Sequence, residues 1–185
     1  MRLIILLAVL RWTFLSCNNS KPLDKPKVFT TVDFSYSDVF STCFSIKFTH
    51  GDTVFIKQHF APASSDTPKS GQSCYAILSD FDRHRLDSFI DKTNFLMFDT
   101  SYYQNYQDGE EYQFFVDKDS IQKTIYVHSD SIPNELKSFG HWIVNLKKNL
   151  KLFAIDTVVN FGSVRHFLPP PVPAPTMKFM PPKVE

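Results

Sequence analysis

The chain has almost no net charge: 20 Lys and Arg stand against 19 Asp and Glu, a formal +1. Such a balance builds no field that would recruit nucleic acid or an anionic surface, and those partner classes are set aside. Beyond residue 20 no run is apolar enough to cross a membrane as a helix. There is no G-x-S-x-G and no H-E-x-x-H, and the six histidines (50, 59, 84, 128, 141 and 166) have no ligand spacing for zinc. The sequence therefore assigns no catalytic residue, no metal and no cofactor. Glycine is scarce as well, with five against 19 Phe and 7 Tyr, so an aromatic-rich core containing β-structure is expected.

What is present begins with Met1–Ser20, MRLIILLAVLRWTFLSCNNS. One basic residue, Arg2, precedes the apolar run Leu3–Leu10, and a second apolar patch, Trp12–Leu15, leads to Ser16-Cys17. A positive end, a short apolar stretch and a small residue make the pattern of a secretory signal. The run Phe14-Leu15-Ser16-Cys17 resembles the lipobox of bacterial lipoproteins, with Arg11 and Phe14 departing from the usual pattern. That resemblance implies acylation of Cys17, which would become the new N-terminus, and several acyl chains suffice for stable anchoring. Residues 1–16 are then a signal peptide. Asn18–Lys27, polar with two prolines, completes a lipid-anchored tether over 17–27. The plain alternative is an ordinary cleaved signal with Cys17 a chance neighbour.

Three cysteines is an odd number. With Cys17 given to lipid, Cys43 and Cys74 remain as a candidate disulfide in an oxidising compartment. Two free thiols, buried separately, are the alternative.

Residues 28–168 read as one α+β domain. Val28–Tyr36 is an imperfectly alternating first strand. In Val39–Thr49, Phe40, Thr42, Phe44, Ile46 and Phe48 fall on one face and Ser41, Cys43, Ser45, Lys47 and Thr49 on the other, a half-buried strand of period two. His50-Gly51-Asp52 turns it into Thr53–Phe60. A three-residue loop pairs Phe48 with Val54 and Ile46 with Ile56, matching apolar to apolar, whereas a two-residue loop sets Ile46 against Lys57. This register places Cys43 opposite His59. Ala61–Gln72 is a loop and Ser73–Leu78 a short strand. Ser79 or Asp80 caps a helix running to about Asn94, with Phe81, Leu86, Phe89 and Ile90 buried and Asp82, Arg83, Arg85, Asp87 and Lys92 wet. Phe95–Phe98 plugs the core. Glu111–Asp117 and Ile121–Ser129 form a second hairpin around Lys118-Asp119. Pro133 opens a second helix with the stripe Leu136, Phe139, Ile143, Leu146 and Leu150, and Lys147, Lys148 and Lys151 complement its dipole as solvated surface. Leu152–Phe161 suggests one more strand. Seven of the 12 prolines fall in residues 169–185, which read as a Pro-rich flexible tail; a docking peptide anchored by Met177, Phe179 and Met180 is the alternative.

Two clusters invite a functional reading. Cys43 beside His59 is the arrangement of a nucleophile and a base or of half a metal site, though no third group is evident to complete either. Tyr102, Tyr103 and Tyr106 lie in a polar stretch, where they form a binding surface or cover a sheet edge.

The span Val39–Leu152 resembles the small uncharacterised lipoprotein domains of Bacteroidetes-type bacteria. The resemblance rests on Cys43 ahead of Phe44 and Ile46, then Gly51, then Phe95 and Phe98, with Phe44 where the family often has Pro. It implies no activity and transfers no site residue. The expected fold is an antiparallel sheet of five to seven strands with two helices on one face. The expected function is that of a non-catalytic binding or interaction module of the cell envelope, lipid-anchored in the outer membrane and facing the periplasm, with an envelope protein or peptide as partner. An envelope hydrolase and a structural part of an envelope assembly are the alternatives.

Overall fold

The structure, a computed structural model, describes residues 28–38, 42–60, 71–105 and 109–164. The leader with Cys17, the tether, Tyr106 and the Pro-rich tail lie outside the described residues. The eight strands are β1 (Thr31–Asp38), β2 (Thr42–Thr49), β3 (Thr53–Phe60), β4 (Ser73–Ile77), β5 (Ser101–Tyr103), β6 (Glu110–Lys118), β7 (Ile121–His128) and β8 (Phe153–Ile155). Among the described residues two helices join them, α1 (Asp80–Lys92) and α2 (Asn134–Asn149). The strands form one open sheet in the order β5-β7-β6-β1-β2-β3-β4-β8, antiparallel except where β5 runs parallel to β7. The chain is thus α+β, as its alternating hairpins and helices require. The strand count exceeds the expected range because β5 and β8, three residues each, add an edge on either side.

Alternation along the strands decides which face is closed. Val32, Phe34 and Tyr36 of β1 lie beside Phe44, Ile46 and Phe48 of β2 and Tyr112, Phe114 and Val116 of β6, all buried on one face. Leu86 and Ile90 of α1 and Leu136, Phe139, Ile143 and Leu146 of α2 belong to the same core. Rings link the layers: Phe89 of α1 stacks on Phe139 of α2 at 3.8 Å between centroids, and Phe139 on Phe114 of β6 at 5.7 Å. Gly140 faces the Tyr112 and Phe114 rings of β6, where α2 rests on the sheet.

Local chemistry sets the ends. The Ser79 side chain accepts from the Asp82 amide at 3.1 Å and caps α1. Asp119 and Ser120 both take positive φ, 51° and 68°, so β6 and β7 meet in a two-residue turn whose twist matches the strands.

The register of the first hairpin is the one the apolar pattern selects: Phe48 faces Val54 and Ile46 faces Ile56. Cys43 does not face His59. A bulge between Cys43 and Phe44 shifts the pairing, and Cys43 meets Phe60. Arg83, expected wet, is buried and pins α1 to the turn after β2. Its guanidinium donates to the carbonyls of Thr49 and Gly51 at 2.6 Å each, pairs with Asp87 and lies over the Phe29 ring. Phe81, expected buried, stands 73% exposed at the start of α1. Lys147 is buried over the Phe44 ring, and burial lowers its pKa. Leu152–Phe161 yields only the three residues of β8 before the chain leaves the edge.

The Cys43–Cys74 bridge is absent: both thiols are free and buried. Cys74 pairs with Ile56 on the core face, while Cys43 alternates with Phe44 and lies on the other face. Strand β3 also runs between them, and two strand spacings of about 10 Å exceed the ~7 Å Cα limit for a disulfide.

Candidate binding site on the polar face of the sheet

The face turned away from the helices reads as solvent-facing in sequence. Strand β1 offers Asp33, Ser35 and Ser37, β2 offers Cys43, Ser45 and Lys47, and β3 offers Lys57 and His59. In the structure Asp33, Ser35, Ser45 and Gln113 of β6 are all but fully buried. The cover is a strap of chain. After β8 the backbone crosses to a single 3-10 turn at Gly162–Val164, which packs on β1 and β6. Gly162 is required there: a Cβ would lie 2.6 Å from the Phe115 ring.

Under the strap the polar groups satisfy one another. The Ser35 hydroxyl bonds the Ser45 hydroxyl at 2.6 Å and the Ser163 hydroxyl at 2.8 Å. Ser45 in turn bonds His59 Nε2 at 2.8 Å. The Gly162 amide donates to the Asp33 carboxylate, whose other oxygen accepts from Thr31, and Lys47 Nζ stands 3.6 Å away. Burial raises the Asp33 pKa against the pull of that amide and of Lys47. Burial lowers the His59 pKa, with the Lys57 charge adding to the effect. Burial also pushes the Cys43 thiol up to about 11, so it stays protonated and is a poor nucleophile. Ser45 and His59 have the spacing of a nucleophile and base, but Ser45 is fully buried and already shared with Ser35. The arrangement is a structural hydrogen-bond network.

Gln113 is different. It is 1% exposed, and neither its side-chain oxygen nor its nitrogen has a hydrogen-bond partner. Leaving a buried amide unpaired costs about 1–3 kcal/mol, so it needs an explanation. It lines a groove of about 670 Å³ over β6 and β7, beside the strap. Glu111 contributes from β6, Gln122, Thr124 and Tyr126 from β7, and Thr100 and Ser101 from the chain entering β5, with Lys123 at the rim. The groove can hold a polar ligand that supplies both a donor and an acceptor to Gln113.

The residues singled out in sequence do not gather at this groove. Cys43 lies under the strap side and Cys74 in the core. Tyr102 and Tyr103 form the edge strand β5, where the Tyr102 hydroxyl accepts from the Asp99 amide at 3.0 Å and Tyr103 stacks on His128. Through β5 they extend the sheet beyond β7, with the Tyr103 ring exposed. Gln113 was hidden because one polar residue between Tyr112 and Phe114 is what any half-exposed strand shows. Among the described residues no group of three His, Cys, Asp or Glu is placed to hold a metal. No protein-family model, no curated protein and no solved structure matches the chain.

Proposed function

We propose that the protein is a cell-envelope lipoprotein, acylated at Cys17, whose domain is a non-catalytic binding module. The leader supports the address: an apolar run, then Leu15-Ser16-Cys17, then a polar tether. Anchorage is by lipid, with the domain facing the periplasm from the outer membrane. Among the described residues no helix is long and apolar enough to cross a membrane. The observation that carries the binding role is Gln113, a fully buried carboxamide left without partners in a groove of polar side chains. A hydrolase reading has only the Ser45–His59 bond behind it, and the Ser45 hydroxyl is fully buried and shared with Ser35.

Intact-mass measurement on membrane-fraction protein tests the anchor. The wild type is expected to carry a lipid increment and to stay with the membrane, and Cys17→Ala to lose both. A wild-type mass without lipid, or a variant that stays on the membrane, overturns the reading.

A further inference from the structure

The chemistry of the groove narrows the class of ligand. The carboxamide of Gln113 presents an acceptor and donors side by side in one plane. Its full complement is a neighbouring donor and acceptor on the ligand, the arrangement of a vicinal diol. The other walls agree. Thr100, Ser101 and Thr124 bring hydroxyls, and Gln122 brings a second planar amide. No aliphatic residue lines the groove. Its charged groups are one of each sign, Glu111 and Lys123, which gives no preference for an ionic ligand. Tyr126 adds an amphipathic ring suited to the C–H face of a sugar.

A peptide fits less well. Within one trans peptide group the N–H and C=O point in opposite directions, so a peptide meets both halves of the Gln113 carboxamide only with the N–H and C=O of one extended residue. Extended peptides add instead to strand edges. Beside the groove the part of β7 before Tyr126 is left open, since β5 pairs only with Tyr126–His128. Gln113 stands one strand further in, on β6.

We propose that the groove over β6 and β7 binds an uncharged saccharide, with the Gln113 carboxamide receiving a vicinal diol. This rests on the binding-module reading above and adds the ligand class.

The test uses the full-length domain-bearing chain and nuclear magnetic resonance of the Gln113 side-chain amide. The probes are maltotriose, cellotriose, chitotriose and, as a contrast, an acetylated Thr-Val-Thr-Val-Thr peptide. At least one sugar is expected to shift the Gln113 amide saturably, with a dissociation constant of about 1 mM. Thr124→Val, which keeps the shape of the side chain, is expected to weaken that binding about fivefold, and Gln113→Leu to abolish it while the rest of the spectrum stays folded, both read on the backbone amides of Ser101 and Gln122 that line the groove. Sugar binding that is unchanged in both variants overturns the site. If the peptide moves Gln113 and the sugars do not, the saccharide class is wrong and the binding module stands. If no probe moves it at about 20 mM, the groove is not a binding site and both readings fall.

Discussion

The same strands build two unlike faces. On the helix side, Phe34, Phe44, Phe48 and Phe114 are sealed under α1 and α2, and rings stack from Phe89 through Phe139 to the sheet. On the other side Asp33, Ser35 and Ser45 are just as buried, yet under a single strap ending at Gly162–Val164. The energetic content differs. A buried Phe contributes roughly 1.5–3 kcal/mol through area removed from water, whereas an internal hydrogen bond contributes about 0.5–1.5 kcal/mol net. The helix face therefore holds the fold together. The strap face fixes geometry, because hydroxyls that must satisfy one another tolerate few arrangements. Burial on a sheet is thus of two kinds, and only one of them follows from hydrophobicity.

The contrast can be broken from either side. The largest loss is expected in the apolar layer. Phe114→Ala removes a fully buried ring that packs against Phe34, Tyr112 and Phe139, and should cost about 3–5 kcal/mol in chemical denaturation. A loss below about 1.5 kcal/mol would mean that the core does not carry the fold. A smaller loss is expected from the strap. Gly162→Ala drives a methyl into the Phe115 ring and should cost about 1–3 kcal/mol, with the Gly162 amide released from Asp33 to faster hydrogen exchange. An unchanged exchange rate would show that the strap absorbs the methyl and that its fit is loose.

The smallest effect is one of pH. His59 has a lowered pKa in the folded state and an ordinary value of 6.5 when unfolded. The unfolded chain then binds more protons just below pH 6.5, so this group takes stability away as pH falls through that value. His59→Gln keeps a hydrogen-bonding group near Ser45 and should flatten that part of the stability curve. Asp33, with a raised pKa, works the other way: it costs stability as pH rises above 3.8, and it does so in both proteins. Parallel wild-type and His59→Gln curves between pH 5 and 7 would exclude a desolvated histidine beside Ser45.

What could be read in advance follows the same division. The register of β2 on β3, the Ser79 cap and the stripe of α2 were legible, because apolar periodicity and capping chemistry are local. Arg83 and Lys147 look wet in sequence and are buried in the fold. A long side chain carries its charge several atoms from its backbone, and its final partner is set by a neighbour distant in sequence, such as Thr49 or Phe44. The Cys43–Cys74 pairing failed on parity alone, since counting cannot see that alternation and a bulge put the two on opposite faces. The polar network and Gln113 were invisible for a related reason. Ser-x-Ser in a strand looks the same whether water or residues 161–164 lie above it.

The strap carries one consequence for the order of events. Ser35 and Ser163 are 128 positions apart, and β1 is the central strand on which both hairpins are laid. The first strand of the sheet thus receives its polar cover from the last described turn. Until residue 162 arrives, Asp33 and its neighbours keep water as their partner, and a chain that has already closed its aromatic layer still has one face unfinished. A contact that closes so long a loop pays its closure entropy before it returns any stability.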